Sequence, residues 1–269
     1  MEEAGGLNAK RLLSPRYGWG VFFATVVVTA HIAFALLPDS RCLDGVRIDK
    51  TTALSWIGLN TSPTSTQCFY YLLPLFAALG PGRAIVEDFI TGFNRHLLQR
   101  GPWRYLCQNL TVTFLVGMAT AVFALTVDYL FSWLLLPDIQ SDLILDYGIS
   151  VDPSYTYFTQ LFFRHALGTI VIYIVLAGLI TAGFSLLGAL VGLVSLNLYA
   201  AMATPMVVSL VLATAATSLP KLIASPVAIM ITDSPNPLPQ FSSFVIGLLA
   251  CYLLMFGGIA IAFWRRAVR

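Results

Sequence analysis

Charge is scarce in this sequence: Lys, Arg, Asp and Glu make up 10% of its 269 residues, against about 25% in soluble domains. Hydrophobic residues reach 58% and the mean hydropathy is +0.81. A water-soluble globule of that composition would leave far too much apolar surface in water, so a soluble enzyme and a disordered tail are both excluded. The basic residues form no continuous run and the net charge is only +2, so the footprint that nucleic acid requires is missing. Four cysteines are too few for a disulfide-stapled scaffold. No Gly-x-x-x-x-Gly-Lys-[Ser/Thr] phosphate loop occurs, so no nucleotide is cradled in that way by this chain, and ATP-driven work would need another one.

What the sequence does have is apolar runs of the length a bilayer demands. A hydrocarbon core of about 30 Å takes about 20 residues of helix. Six segments meet or approach that length: 17–37, 69–82, 105–127, 165–191, 198–217 and 244–264. The second is short and carries Pro74; the fifth carries Pro205. The apolar stretch of the first exceeds the 7–15 residues of a secretory signal, so we read it as a retained span. The expected fold is all-α and polytopic, a single transmembrane domain.

Six spans place both termini on one side, and the basic residues choose which. Lys10, Arg11, Arg16, Arg83, Arg95, Arg100, Arg104, Arg265, Arg266 and Arg269 fall on the terminal side, ten of the fifteen. Only four of the thirteen acids join them. The positive-inside rule therefore predicts a multi-pass plasma-membrane protein with both termini in the cytoplasm. Tyr17, Trp103, Tyr105, Trp133 and Trp264 lie near predicted span ends, as an aromatic belt would.

The cytoplasmic segment 83–104 carries the most information. Ile85, Phe89, Phe93 and Leu97 recur every four residues while Glu87, Asp88, Asn94, Arg95 and Gln99 fill the remaining surface. That pattern predicts an amphipathic helix along the membrane face, either a plain linker or a docking element. Leu73-Pro74-Leu75-Phe76-Ala77-Ala78-Leu79, followed by Glu87-Asp88, Gly92-Phe93, Arg95, Arg100 and Arg104-Tyr105, resembles the ABC-2 type permeases of Gram-positive bacteria. The motif covers about 33 residues and departs from the family at Gly101-Pro102, where small polar and basic residues are expected. The resemblance implies a type V ABC exporter-like permease whose coupling helix docks a separate ABC ATPase, the chain that would carry ATP and Mg. It also implies a second permease copy or related chain. The docking residues would be Glu87, Asp88, Gly92, Arg95 and Arg100, with membrane lipids as further partners of the arginines. Pro74 and Pro205, which free backbone groups, would line the transport path, and the scarcity of charge in the spans suits a hydrophobic or amphipathic cargo such as a peptide, lipid or antibiotic.

The rest admits alternatives. External loop 38–68 brings Cys42 and Cys68 to one compartment, where they either bridge or remain two thiols. Loop 137–160 carries Asp138, Asp142, Asp146 and Asp152 without the ligand alternation of a calcium loop, so a solvated acidic surface is expected. Segment 218–240, broken by five prolines, is a plain surface loop or, as the resemblance implies, short re-entrant helices. Gly188 and Gly192 form a Gly-xxx-Gly pair serving internal packing or a dimer contact. His31, with no carboxylate or nucleophile near it in sequence, reads as a packing residue, and Asp128 as a group at the outer interface. No catalytic or metal constellation is evident, which disfavours a rival reading as an intramembrane lipid- or peptide-modifying enzyme. A non-transporting immunity or sensor protein is the other rival.

Overall fold

A computed structural model of the chain describes residues 15–41, 50–59, 64–91, 102–139, 156–219, 225–231 and 238–267. Among them there is no strand, and six helices are long and apolar enough to cross a membrane: Tyr17–Arg41, Thr64–Ile90, Pro102–Leu135, Ala166–Ser195, Leu198–Ser218 and Phe241–Arg266. We call these spans one to six. They alternate in direction. One end of the bundle therefore holds Pro15 and Ala267 (the terminal end), and the opposite end holds the connections after spans one, three and five (the loop end).

Spans two and four form the centre. In their most apolar stretches 72% of residues are buried, against 6% in span six and 17% in span five. Span four packs on spans two, three, five and six, and small residues let it do so. A Cβ on Gly188 would lie 2.9 Å from both the Ala201 carbonyl oxygen and the Ala78 Cβ, and one on Gly192 would lie 2.9 Å from Val86 Cγ2. The Gly-xxx-Gly pair thus serves packing within the chain, against spans two and five. Pro205 has a part in this contact. It lacks the N–H that the carbonyl four residues earlier would accept, and that carbonyl, on Ala201, is the one that meets Gly188.

The turn between spans four and five is sharp. Leu196 closes span four in the left-handed region at φ 50°, and its N–H still reaches the Gly192 carbonyl at 3.0 Å. Asn197 then caps span five, its Oδ1 accepting from the N–H groups of Tyr199 (2.9 Å) and Ala200 (3.3 Å). Asn197→Ala should cost about 1 kcal/mol of stability, measured by denaturant unfolding in mixed micelles, because two N–H groups at the helix start lose their acceptor. Arg266 closes the end of span four, donating to the Leu193 carbonyl at 2.5 Å and the Val194 carbonyl at 2.6 Å. These carbonyls have no partner within the helix.

Span two differs most from its predicted bounds. It runs from Thr64 to Ile90 rather than over 69–82. Pro74 interrupts the hydrogen-bond ladder without ending the helix, because Thr64–Leu79 is continuous through it. Gly80 keeps helical angles (φ −81°, ψ −64°), and Pro81 is the first residue of Pro81–Ile90, a position where its missing N–H costs nothing. Of the predicted belt aromatics, Trp103 and Trp264 lie together on the exposed surface with ring centroids 6.3 Å apart, and Trp133 is exposed towards the other end. Tyr17 and Tyr105 are buried instead.

Candidate functional site

At the terminal end, residues 83–90 continue span two, and their apolar side packs inside the bundle rather than flat on a membrane face. Ile85 and Phe89 join Tyr105, Leu106, Leu193, Ile259 and Phe263 in one cluster, where the Phe263 ring meets Phe89 edge-on and stacks with Tyr105. Ile90 stands exposed beyond them. Glu87 and Asp88 are both held from within the chain. Arg83 Nε lies 2.6 Å from Glu87 Oε1, one helical turn away, and the Tyr105 hydroxyl donates to Asp88 Oδ2 at 2.9 Å. Gly92, Arg95 and Arg100 lie outside the described residues.

Pro74 and Pro205 are both buried in helix contacts. Cys68 is an exposed free thiol on span two, and Cys42 lies outside the described residues, as do Asp142, Asp146 and Asp152 of the acidic loop.

The loop end holds what the sequence did not announce. His31 and Asp128 are 97 residues apart, yet His31 Nδ1 lies 2.7 Å from Asp128 Oδ1 with both side chains fully buried. Asp128, which the sequence places at the outer interface, is thus turned into the bundle rather than towards its surroundings. It lies seven residues inside the end of span three, about 10 Å along the axis. Its second oxygen, Oδ2, accepts the backbone N–H of Ile57 at 2.9 Å. A five-residue π-helical segment, Ile32–Leu36, follows His31 directly, a distortion often found at functional positions.

Ile57 comes from the loop between spans one and two, part of which folds back into the bundle. Thr51 Oγ1 accepts the Leu54 N–H and starts a short helix, Thr52–Ser55. Thr52 donates its N–H to the Pro137 carbonyl at 3.1 Å. Trp56 is buried to 1% exposure; its indole N–H donates to the Leu125 carbonyl at 3.4 Å, and its ring meets Tyr129 edge-on. The segment therefore descends along span three to Leu125, ten residues inside the helix end, or about 15 Å. A second inward fold is Pro226–Met230. Val227 to Met230 are buried against spans two, four and five, and the Met230 sulfur lies 4.0 Å from Thr181 Oγ1, near the middle of span four.

Several buried polar atoms in the bundle have no partner. His31 Nε2 and the hydroxyls of Tyr70, Thr66 and Thr169 are buried with no hydrogen-bond partner. The Tyr173 hydroxyl accepts the Tyr157 N–H at 3.2 Å. Tyr157 itself stands outside the spans, where burial and the neighbouring Tyr173 push its phenol up to about 12, so it remains protonated at physiological pH. It lines a groove of about 500 Å³ with Thr156, Phe158, Leu161 and Arg164. Chemically the Asp128 carboxylate can orient the His31 imidazole through Nδ1. A nucleophile is not supplied by Ser132, whose hydroxyl donates to the Asp128 backbone carbonyl at 3.0 Å. Among the described residues no group of three or more His, Cys, Asp or Glu is placed to hold a metal ion.

One signal for the pair was present in the sequence. Ala121, Ala124, Leu125, Asp128 and Ser132 share one face of span three, and all are buried. Phe123, Leu130, Phe131 and Leu134 are exposed on the other. An aspartate on the small-residue face of a span points inward. No family model, no curated protein and no solved structure matches the chain.

Proposed function

We propose that this chain is the membrane-spanning subunit of an ATP-driven ABC exporter of ABC-2 type, paired with a second permease copy or a related chain and driven by a separate ATPase at the terminal end of the bundle. The observation that carries this reading is the seating of the end of span two against spans four and five. Two helices that abut at Gly80, Thr64–Leu79 and Pro81–Ile90, run from the loop end to Ile90, and the second bears Glu87 and Asp88 on its last turn. It is keyed into the centre by close backbone approaches. A Cβ on Gly82 would lie 3.3 Å from the Ala201 carbonyl of span five, and Val86 seats on Gly192 of span four. A push on residues 83–91 would reach spans four and five through these contacts, which lie within Pro81–Ile90 itself, the transmission that ATP-driven tilting needs.

Both termini are then cytoplasmic, as the basic residues of the terminal side favour. The cargo is hydrophobic or amphipathic, moving beside spans two and five. An intramembrane enzyme would have the His31–Asp128 pair to draw on, but the Ser132 hydroxyl one helical turn from Asp128 donates to the Asp128 backbone carbonyl.

Charge reversal tests the docking. Glu87→Lys with Asp88→Lys should release the ATPase and lower ATP-driven transport at least tenfold. The Arg83–Glu87 pair is partly exposed and contributes only about 0.3–0.5 kcal/mol, so folding should survive. Tyr105→Phe is the control: it removes the hydrogen bond to Asp88 and keeps the charge, and should leave ATPase retention unchanged. Normal retention and transport in the double reversal would refute the docking site.

A further inference from the structure

Charge at the terminal end is unevenly matched. The two acids described there are engaged from within the chain, Glu87 by Arg83 and Asp88 by the Tyr105 hydroxyl. Arg266 is engaged as well, by the Leu193 and Val194 carbonyls. Arg104, in the first turn of span three, and Arg265, in the last turn of span six, are both exposed. Among the described residues neither makes a hydrogen bond or an ion pair. Each follows a tryptophan directly, Trp103 and Trp264, and these two indoles, both about half exposed, meet with centroids 6.3 Å apart.

The indole pair is fixed from beneath. Tyr105 and Phe263 are buried and stack with centroids 6.0 Å apart, which sets the start of span three against the end of span six. Arg266 ties that end of span six to span four. A surface held in this way gives up little conformational entropy when something binds to it. Its chemistry is one-sided. Two guanidinium groups and two indole N–H groups are donors, with no acceptor among them. The helix dipoles add no sign of their own, because the positive end of span three lies beside the negative end of span six. Such a surface suits an anion that accepts hydrogen bonds and carries an apolar body to lie against the indoles.

We propose that Trp103, Arg104, Trp264 and Arg265 form a binding site for an anionic phospholipid, its phosphate held by the arginines and the upper part of an acyl chain resting on the indole pair. Position favours a lipid over a soluble partner. The tryptophans stand at the ends of two spans, the depth at which indoles meet headgroups, and the long arginine stems carry their charge to that level. Charge then selects the lipid. Phosphatidylcholine balances its phosphate with an ammonium and so brings another cation towards two unpaired arginines, whereas phosphatidylglycerol brings none. An ordinary aromatic belt has no such preference, since an indole is uncharged. The site requires only that spans three and six cross a bilayer, so it stands or falls apart from the exporter reading.

Quenching of the two indoles by lipid tests the site. The full chain is placed in phosphatidylcholine nanodiscs in which a rising fraction of the lipid is phosphatidylglycerol brominated on its acyl chains. A parallel series uses phosphatidylcholine brominated in the same way. The signal of Trp103 and Trp264 is the part of the emission missing from a Trp103→Phe, Trp264→Phe chain measured alongside. Its dependence on lipid fraction gives the affinity for phosphatidylglycerol relative to phosphatidylcholine. The expected preference is at least about fivefold, the factor that about 1 kcal/mol per basic residue near an anionic surface yields. It should vanish in Arg104→Gln with Arg265→Gln and persist in Arg41→Gln, which removes an exposed arginine at the loop end. Raising NaCl from 0.1 to 1 M, which shortens the Debye length from about 10 to about 3 Å, should weaken it in the parent chain. Equal quenching by the two lipids, or a preference indifferent to salt, would overturn the proposal. So would a preference that survives the double substitution, which would leave the arginines to a protein partner. Should the double variant fail to fold by size exclusion, the parent chain's preference and its salt dependence decide.

Discussion

Replacing Asp128 with Ala is expected to destabilise the folded bundle by about 3–5 kcal/mol, the cost of removing one partner from a buried pair. Two groups are stranded at once. His31 loses its partner on Nδ1, and the Ile57 N–H loses its acceptor; one orphaned buried donor alone costs about 1–3 kcal/mol. Trp56 should loosen with it, since it lies next to Ile57 in the chain. Joint replacement, His31→Leu with Asp128→Leu, should recover a large part of the loss, because apolar pairs of similar volume often do as well as buried ions. Unfolding in mixed micelles by denaturant, read by circular dichroism, measures both. A loss under about 1 kcal/mol in Asp128→Ala, the low end for a single orphaned donor, would mean that the pair is not buried in the folded bundle.

Gly20→Ala is expected to cost at least about 1–3 kcal/mol, the range for forcing extra volume into a packed contact. A Cβ there would overlap the Phe76 carbonyl oxygen and lie 3.1 Å from its carbon. Both atoms are backbone of span two, so no rotamer change relieves the overlap and spans one and two must separate. Gly18, two positions earlier, has open space where a Cβ would stand, with nothing within 4 Å. Gly18→Ala should therefore be neutral or gain up to about 1 kcal/mol from helix propensity. Denaturant unfolding of the two variants side by side measures the difference. The contrast between two glycines in one helix removes membrane insertion and composition as explanations. Equal effects at both sites would contradict the packing of span one on span two.

Spans three to six are legible in the sequence within a few residues at most of their ends, because apolar length is set by the bilayer and is written locally. The extra turns, such as 128–135 of span three, escape it where polar residues on an inward face lower the hydropathy. Span two reads as too short because Glu87 and Asp88 resemble a surface, whereas Ile85, Val86 and Phe89 pack inside on the opposite side of the same turns. The His31–Asp128 pair is half legible. Hydropathy marks each residue, and helical periodicity gives the face of Asp128, but a contact 97 residues apart in sequence depends on which spans are neighbours. The inward fold of 51–59 is hidden for the same reason. Its Thr51 cap and the apolar Leu54, Trp56 and Ile57 suit an external loop helix equally well until span three is seen beside it.

An ATPase docked at the end of span two, as proposed, would be caught by a site-specific crosslink. A photoreactive amino acid at position 90, where the isoleucine is 64% exposed, would be activated in native membranes. The crosslinked product would then be isolated in mild detergent and sequenced by mass spectrometry. The expected product is one stoichiometric cytoplasmic adduct that carries a phosphate loop and disappears in the Glu87→Lys, Asp88→Lys chain. A chain that crosslinks only to lipid or to other membrane proteins, and is recovered without an ATPase, would contradict it.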